Sequence, residues 1–336
     1  MGIVSLGGCK PDPSMGPDTS GQISFAIPAG WPQPVYTFQN NTLTQEGFAL
    51  GRKLFFDPRL SRDSSTSCGT CHQQFAGFAN LDHPLSHGIN GLFGNRNSPG
   101  LSNLAWYPAF FYDGGVNHIE SQPINPITNP VEMDETLPRI VSKLSADANY
   151  RSLFKSAFGD EAVNSQRIFR ALAQFMGAMV SSNSKYDHYV RGEAGGTLSP
   201  QELHGMQLFN DKCATCHQPP LFTDFSYRNN GLSPDAILKD SGRAHITGLP
   251  GDIRKFKVPS LRNVELSRPY MHDGRFITLD AAVEHYRTDI MVSPTLDPLL
   301  TSGIVMTDAD KQDIISFLKT LTDMEFVKDK RFFEPR

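Results

Sequence analysis

Two five-residue runs place reactive side chains at one spacing: Cys68-Gly69-Thr70-Cys71-His72 and Cys213-Ala214-Thr215-Cys216-His217. Two thiols three positions apart can reach the two vinyl groups of one porphyrin as thioethers, and the adjacent imidazole can then ligate the iron. The chain is therefore expected to carry two covalently attached c-type haems. Cys68 and Cys71 hold the first, with His72 on its iron; Cys213 and Cys216 hold the second, with His217 on its iron. A thioredoxin-like dithiol has no need of the histidine, and a zinc ribbon sets its two hooks much closer together than these.

The elements that must position these groups divide the chain. At 336 residues it has room for about two domains, with one haem in each as the natural division. Residues 10 to 40 hold Pro11, Pro13, Pro17, Pro28, Pro32 and Pro34 among small polar residues and read as an extended lead-in, with order beginning near Thr42. A weak internal repeat follows. Thr42-Leu43-Thr44-Gln45 and Ser199-Pro200-Gln201-Glu202 resemble capping boxes, the second with Pro at the first helical position. Each opens a helix running into Gly51-Arg52-Lys53-Leu54-Phe55 or Gly205-Met206-Gln207-Leu208-Phe209 and then into a haem motif. Ile168, Leu172, Phe175, Met176, Met179 and Val180 recur at helical spacing, which predicts a buried helix over about 165–181 with its methionines in the core. Arg191 to Thr197 reads as the interdomain linker, and Thr307 caps a last helix containing Ile314, Ile315, Leu318 and Leu321. Strand-period alternation is scarce. The expected fold is mainly α: two cytochrome c-like haem domains, 42–190 and 191–336, with long loops and little strand, behind a lead-in over 1–41.

The formal net charge of −4 offers no electrostatic case for nucleic acid or an anionic membrane surface, and Lys328 to Arg331 reads as a solvated tail. No apolar run approaches the roughly 20 residues needed to span a bilayer. Attachment of c-type haem outside the bacterial cytoplasmic membrane places the chain in the periplasm or another extracytoplasmic compartment. The fifth cysteine, Cys9 in Leu6-Gly7-Gly8-Cys9, resembles the end of a lipoprotein signal and suggests a lipid anchor, although the charged and apolar regions expected upstream are missing.

Beyond the haem motifs, residues 42–325 resemble the bacterial dihaem cytochrome c peroxidase family, which includes the quinone-cofactor maturation enzyme MauG. The resemblance rests on Leu54-Phe55-Phe56-Asp57-Pro58-Arg59-Leu60-Ser61, on Gly94 to Asn103 and on Gln122 to Met133. It continues through Phe256-Lys257-Val258-Pro259-Ser260-Leu261-Arg262-Asn263 and Pro269-Tyr270-Met271-His272-Asp273-Gly274-Arg275. It implies that the first haem is the peroxide site and that the second supplies or stores electrons. It also implies that Glu132 is the distal acid and Gln122 its amide partner. Chemistry gives Glu132 an independent rationale, since cleaving a peroxide needs a base to take one proton and an acid to return it.

Four departures from the family pattern matter. The position of a plugging distal histidine falls near Ile89, with His87 offset from it, so the peroxide site is expected to be open in the oxidised protein. A methionine ligand of the second haem is replaced by Tyr286 in Ala282-Val283-Glu284-His285-Tyr286, as in MauG, with Met271, His285 and Met291 as competing ligands. The tryptophan between the haems corresponds to Tyr112, an inter-haem relay that must lose a proton when oxidised. MauG's surface tryptophan two residues before the second motif corresponds to Asp211. Asn103 matches a position that helps hold one calcium ion, together with backbone oxygens near Lys257 and Pro259.

The leading expectation is a peroxidase reducing hydrogen peroxide with electrons from a small cytochrome c or cupredoxin, with a homodimer as the associated assembly. A MauG-like oxidase of a protein or organic substrate is the second reading, favoured by Tyr286 and disfavoured by Asp211. A non-enzymatic dihaem carrier is the third.

Overall fold

A computed structural model describes residues 23–81 and 83–335. Helices dominate, and the only regular sheet among the described residues is one antiparallel pair, Tyr227–Arg228 with Phe256–Lys257, in which Tyr227 lies opposite Lys257. The expected α character with long loops is what the chain adopts.

The internal repeat is a repeat of helix pairs. In the first half the helix Gln45–Phe56 crosses the helix Ser165–Gly177; in the second, Pro200–Lys212 crosses Asp308–Lys319. Both crossings are made close by a glycine. A Cβ on Gly51 would strike the carbonyl of Ala171 and the Phe175 side chain, and one on Gly205 would strike the carbonyl of Asp313 and the Phe317 side chain. Phe55 and Phe209, four residues after each glycine, are fully buried beside the haem motifs. Each half thereby gains its own apolar core.

The caps show where local signals held. Ser199 forms its box with Glu202 behind Pro200, and Thr307 does the same with Asp310. The box expected at Thr42 lies two residues on: Thr44 caps the helix, its hydroxyl accepting from Gly47 N at 3.0 Å. Position Gln45+2 is a glycine rather than an acid, and it is Gln174 of the crossing helix that accepts from Thr44 N, at 3.0 Å. A tertiary partner replaces the local one.

Two expectations about the ends need correction. The lead-in is packed well before Thr42: Ile23 N donates to Leu43 O, Tyr36 N donates to Ala105 O, and Phe38 lies in the first core. Its aromatic residues, rather than its prolines, decide this, because burying them offsets the entropy of ordering a segment without regular structure. The tail is likewise anchored. Lys328, Lys330 and Arg331 are exposed, but Phe326, Val327 and Phe332 return to the core of the first half. Cys9 lies outside the described residues.

Two of the family-like segments turn out to be clamps. Asp57 accepts from Tyr150 Oη at 2.5 Å and from Arg59, which also reaches Asp147. Arg262, its side chain wholly buried, pairs with both oxygens of Asp187 at 2.8 and 2.9 Å.

Candidate active site

Both proximal histidines are held by the same device. His72 Nδ1 donates to the carbonyl of Phe78 at 2.8 Å, and His217 Nδ1 donates to the carbonyl of Phe222 at 3.1 Å, with that of Pro259 at 3.2 Å. Burial pushes both imidazoles towards the neutral form. A neutral ring that donates from Nδ1 keeps a lone pair on Nε2, which is what an iron ligand requires. The four motif cysteines form no disulfide, which leaves their sulfurs available for thioether attachment. Free paired thiols beside neutral, oriented imidazoles fit covalently bound haem at both motifs.

A cavity of about 380 Å³ opens beside the first motif and is lined by Cys68, Cys71, His72, Gln122, Glu132 and Tyr112, among others. Residues 60 positions apart in sequence are thus brought to one wall. Glu132 Oε1 accepts from Asn129 Nδ2 at 3.1 Å, and burial raises its pKa above the ordinary glutamate value, with the Asn129 bond pulling the other way. The backbone of Glu132 is gripped by the loop after the haem motif: Ile89 N donates to Glu132 O at 2.8 Å. That grip needs Gly88, where a Cβ would run into Val131 O and the Glu132 backbone. His87 also lines this cavity, its ring stacked on that of His83 with centroids 5.1 Å apart and tilted against Phe93 at 5.0 Å.

Around the second motif, a different set converges. Asn230 Nδ2 lies 3.4 Å from Met271 Sδ and 3.5 Å from Tyr286 Oη. Burial raises the Tyr286 pKa against the Asn230 bond, and the phenol lies near Cys213 and Cys216. Met271 sits there at φ +74°, a strained conformation for a side-chain-bearing residue. Of the competitors, His285 is 1 % exposed and its Nε2 is hydrogen-bonded to Asn230 O at 3.0 Å, so it is a satisfied core residue. Met291 stands in a loop whose N–H donates to Gly231 O. Asp211 is exposed, ahead of Cys213.

Tyr112 lines the first cavity, and burial strongly raises its pKa, with Arg96 of the first half lowering it and Asp273 of the second half raising it. Its carbonyl accepts from Lys257 N at 2.6 Å. The Lys257 side chain is a group the sequence did not single out: a buried ammonium that donates to Ala109 O at 2.7 Å and lies 4.5 Å from the Tyr107 centroid. Desolvation lowers its pKa to about 7, with Asp113 opposing. Nothing in a lone lysine of the sequence signals this; only burial does.

Asn103, the position expected to help hold calcium, is engaged with the backbone. Asn103 is fully buried, its Oδ1 accepts from Ser181 N at 2.9 Å and its Nδ2 donates to Ser181 O at 3.2 Å. Its amide is a clasp between two backbone segments.

A family model for dihaem cytochrome c peroxidases matches residues 45–195, and one for cytochrome c matches 203–322. The methylamine utilization protein MauG of Methylorubrum extorquens is 35% identical over 305 residues, 88% of this chain and 83% of that protein. The cytochrome c551 peroxidase of Nitrosomonas europaea is 35% identical over 277 residues, 81% and 79% of the two chains. This chain belongs to the dihaem cytochrome c peroxidase family. As a member it is an oxidoreductase of the peroxidase type carrying haem c, in agreement with the two attachment sites. The crystal structure of a MauG-like protein associated with microbial copper homeostasis superposes with a TM-score of 0.85 at 31% identity, covering 93% of this peroxidase and 99% of that chain. Asn129 and Gly88, which support Glu132 in this peroxidase, become meaningful only once the loops carrying them are seen to meet.

Proposed function

We propose that this peroxidase reduces hydrogen peroxide to water in the cavity beside His72, drawing electrons through the second haem from a small cytochrome c or cupredoxin outside the cytoplasm. The observation that carries the reading is Glu132: a carboxyl with a raised pKa in the wall of the cavity that His72 and the thioether cysteines line. Haem bound there supplies the iron at which the O–O bond is cleaved. Glu132 takes the proton from the nearer oxygen of hydrogen peroxide and returns it to the departing one, so that water leaves. Asn129 holds the carboxylate oriented, and Gln122 supplies an amide to the same cavity. Tyr112 relays electrons between the halves, giving up its phenolic proton when oxidised and regaining it on reduction. Tyr286 closes the second site, with Met271 as the alternative ligand.

The reading includes a peroxide site open without prior reduction, with Ile89 near the position of the plugging histidine and the His87 ring held against His83 and Phe93. Electron paramagnetic resonance of the oxidised protein before and after peroxide tests the whole reading. A high-spin first site that responds to peroxide is expected; two low-spin sites that ignore it would leave only the carrier. The oxidase reading draws support from Tyr286, a hard anionic donor that favours oxidised iron. No helix among the described residues is long and apolar enough to cross a membrane.

A further inference from the structure

The protein has two tryptophans, 75 positions apart, and the fold stacks one on the other. Trp31 and Trp106 meet edge to face with centroids 5.0 Å apart. Trp106 is 2 % exposed and directly precedes Tyr107, which lines the first cavity. Tyr107 lies 4.9 Å from Phe225, and Phe225 packs into the cluster that holds both tryptophans. The indole N–H of Trp106 donates to Pro32 O at 2.8 Å, tying the N-terminal segment across the junction of the two halves. Trp31, carried by that segment, is the outer, half-buried member.

Trp31 also reaches the second site. Arg262 lies 4.5 Å from its ring and 5.7 Å from the ring of Phe222, whose carbonyl accepts from His217. A bare cation there would oppose removal of an electron from the indole. The bidentate partner Asp187 neutralises it. Indole and phenol are the side chains that lose an electron most readily, and here Tyr107 in the cavity wall, its sequence neighbour Trp106 and the half-buried Trp31 follow one another outward.

We propose that Trp31, with Trp106 behind it, is a surface oxidation site that passes the oxidising power of peroxide to aromatic one-electron reductants too large for the first cavity. The proposal rests on the peroxidase reading above. For each hydrogen peroxide reduced to two waters, two protons and two electrons are consumed, and the electrons come one each from two reductant molecules. Trp31 loses an electron inward to Trp106 and regains it from the reductant, so it is unchanged over a cycle.

The test compares the haem-loaded wild type with Trp31→Phe and Trp31→Tyr, supplying peroxide with either the bulky dye ABTS or reduced mitochondrial cytochrome c. Trp31→Phe should slow dye oxidation about fivefold or more while cytochrome-fed peroxide consumption stays within about twofold, and Trp31→Tyr should recover part of the loss. Freeze-quenched wild type should show a tryptophan radical that Trp31→Phe lacks. An unchanged dye rate in Trp31→Phe, or a wild type that consumes peroxide yet leaves the dye untouched, overturns the proposal and leaves the pair as packing. A wild type that consumes no peroxide with either donor removes the peroxidase reading, and this one with it.

Discussion

The two haem-attachment regions are near copies on one side and unlike on the other. Phe78 and Phe222, whose carbonyls accept from His72 and His217, both sit at positive φ, 62° and 55°, and both pack beside a glycine-mediated helix crossing. Beyond the histidines the likeness ends. The first region leaves a cavity with a protonatable carboxyl in its wall; the second gathers Tyr286, Met271 and Asn230 against the thiols. One scaffold for holding haem therefore serves two chemistries, and the loops on the far side decide which. Attachment is a local matter of spacing, whereas reactivity depends on what distant segments bring.

Removing the carboxyl should break the contrast most severely. Glu132→Gln is expected to lower peroxide turnover by roughly 10² to 10⁴ with both haems retained, measured by steady-state kinetics and haem absorbance. An intact rate would place the proton transfer elsewhere. The same residue predicts a pH effect. Its pKa is raised above 4.5 and its ionised form takes the first proton, so kcat/KM should fall as pH drops through a value above 4.5. Glu132→Gln should abolish that limb.

The second region gives a smaller expected change in turnover and a clearer one in potential. Tyr286→Met exchanges a phenolate for a thioether and should raise the second haem's potential by on the order of 0.1 V, read by redox titration. If Met271→Leu, and not Tyr286→Met, alters the low-spin signal, the ligand assignment passes to Met271. Gly88→Ala is the mildest test. Its Cβ would press on the backbone of Glu132, and overpacking of this kind costs about 1–3 kcal/mol, visible in chemical denaturation. A loss of peroxide turnover larger than the loss of stability would show that the loop positions the carboxyl.

Much of this was readable from the chain. Cys-x-x-Cys-His carries its meaning in five adjacent residues, and the Ser199 and Thr307 boxes in four, because the interactions involved are made within one helical turn. The resemblance likewise singled out Glu132, Gln122 and Tyr112, all three of which line the first cavity. The Thr42 box failed because the competing partner, Gln174, is 130 positions away from Thr44. That the amide of Asn103 bonds the backbone of Ser181, 78 positions away, is likewise something no local pattern announces.

From composition and spacing alone came the helical class, two haem sites and the repeat that carries them, since short-range periodicity and bond geometry set these. Packing settled the rest: that residues 23–41 form a strap bearing Trp31, that Phe326 to Phe332 close the first core, that Lys257 is a buried amine and that His285 is turned inward. These properties belong to pairs of segments far apart in the chain. Burial and charge environment arise only when such segments meet, and either segment read singly is an ordinary loop.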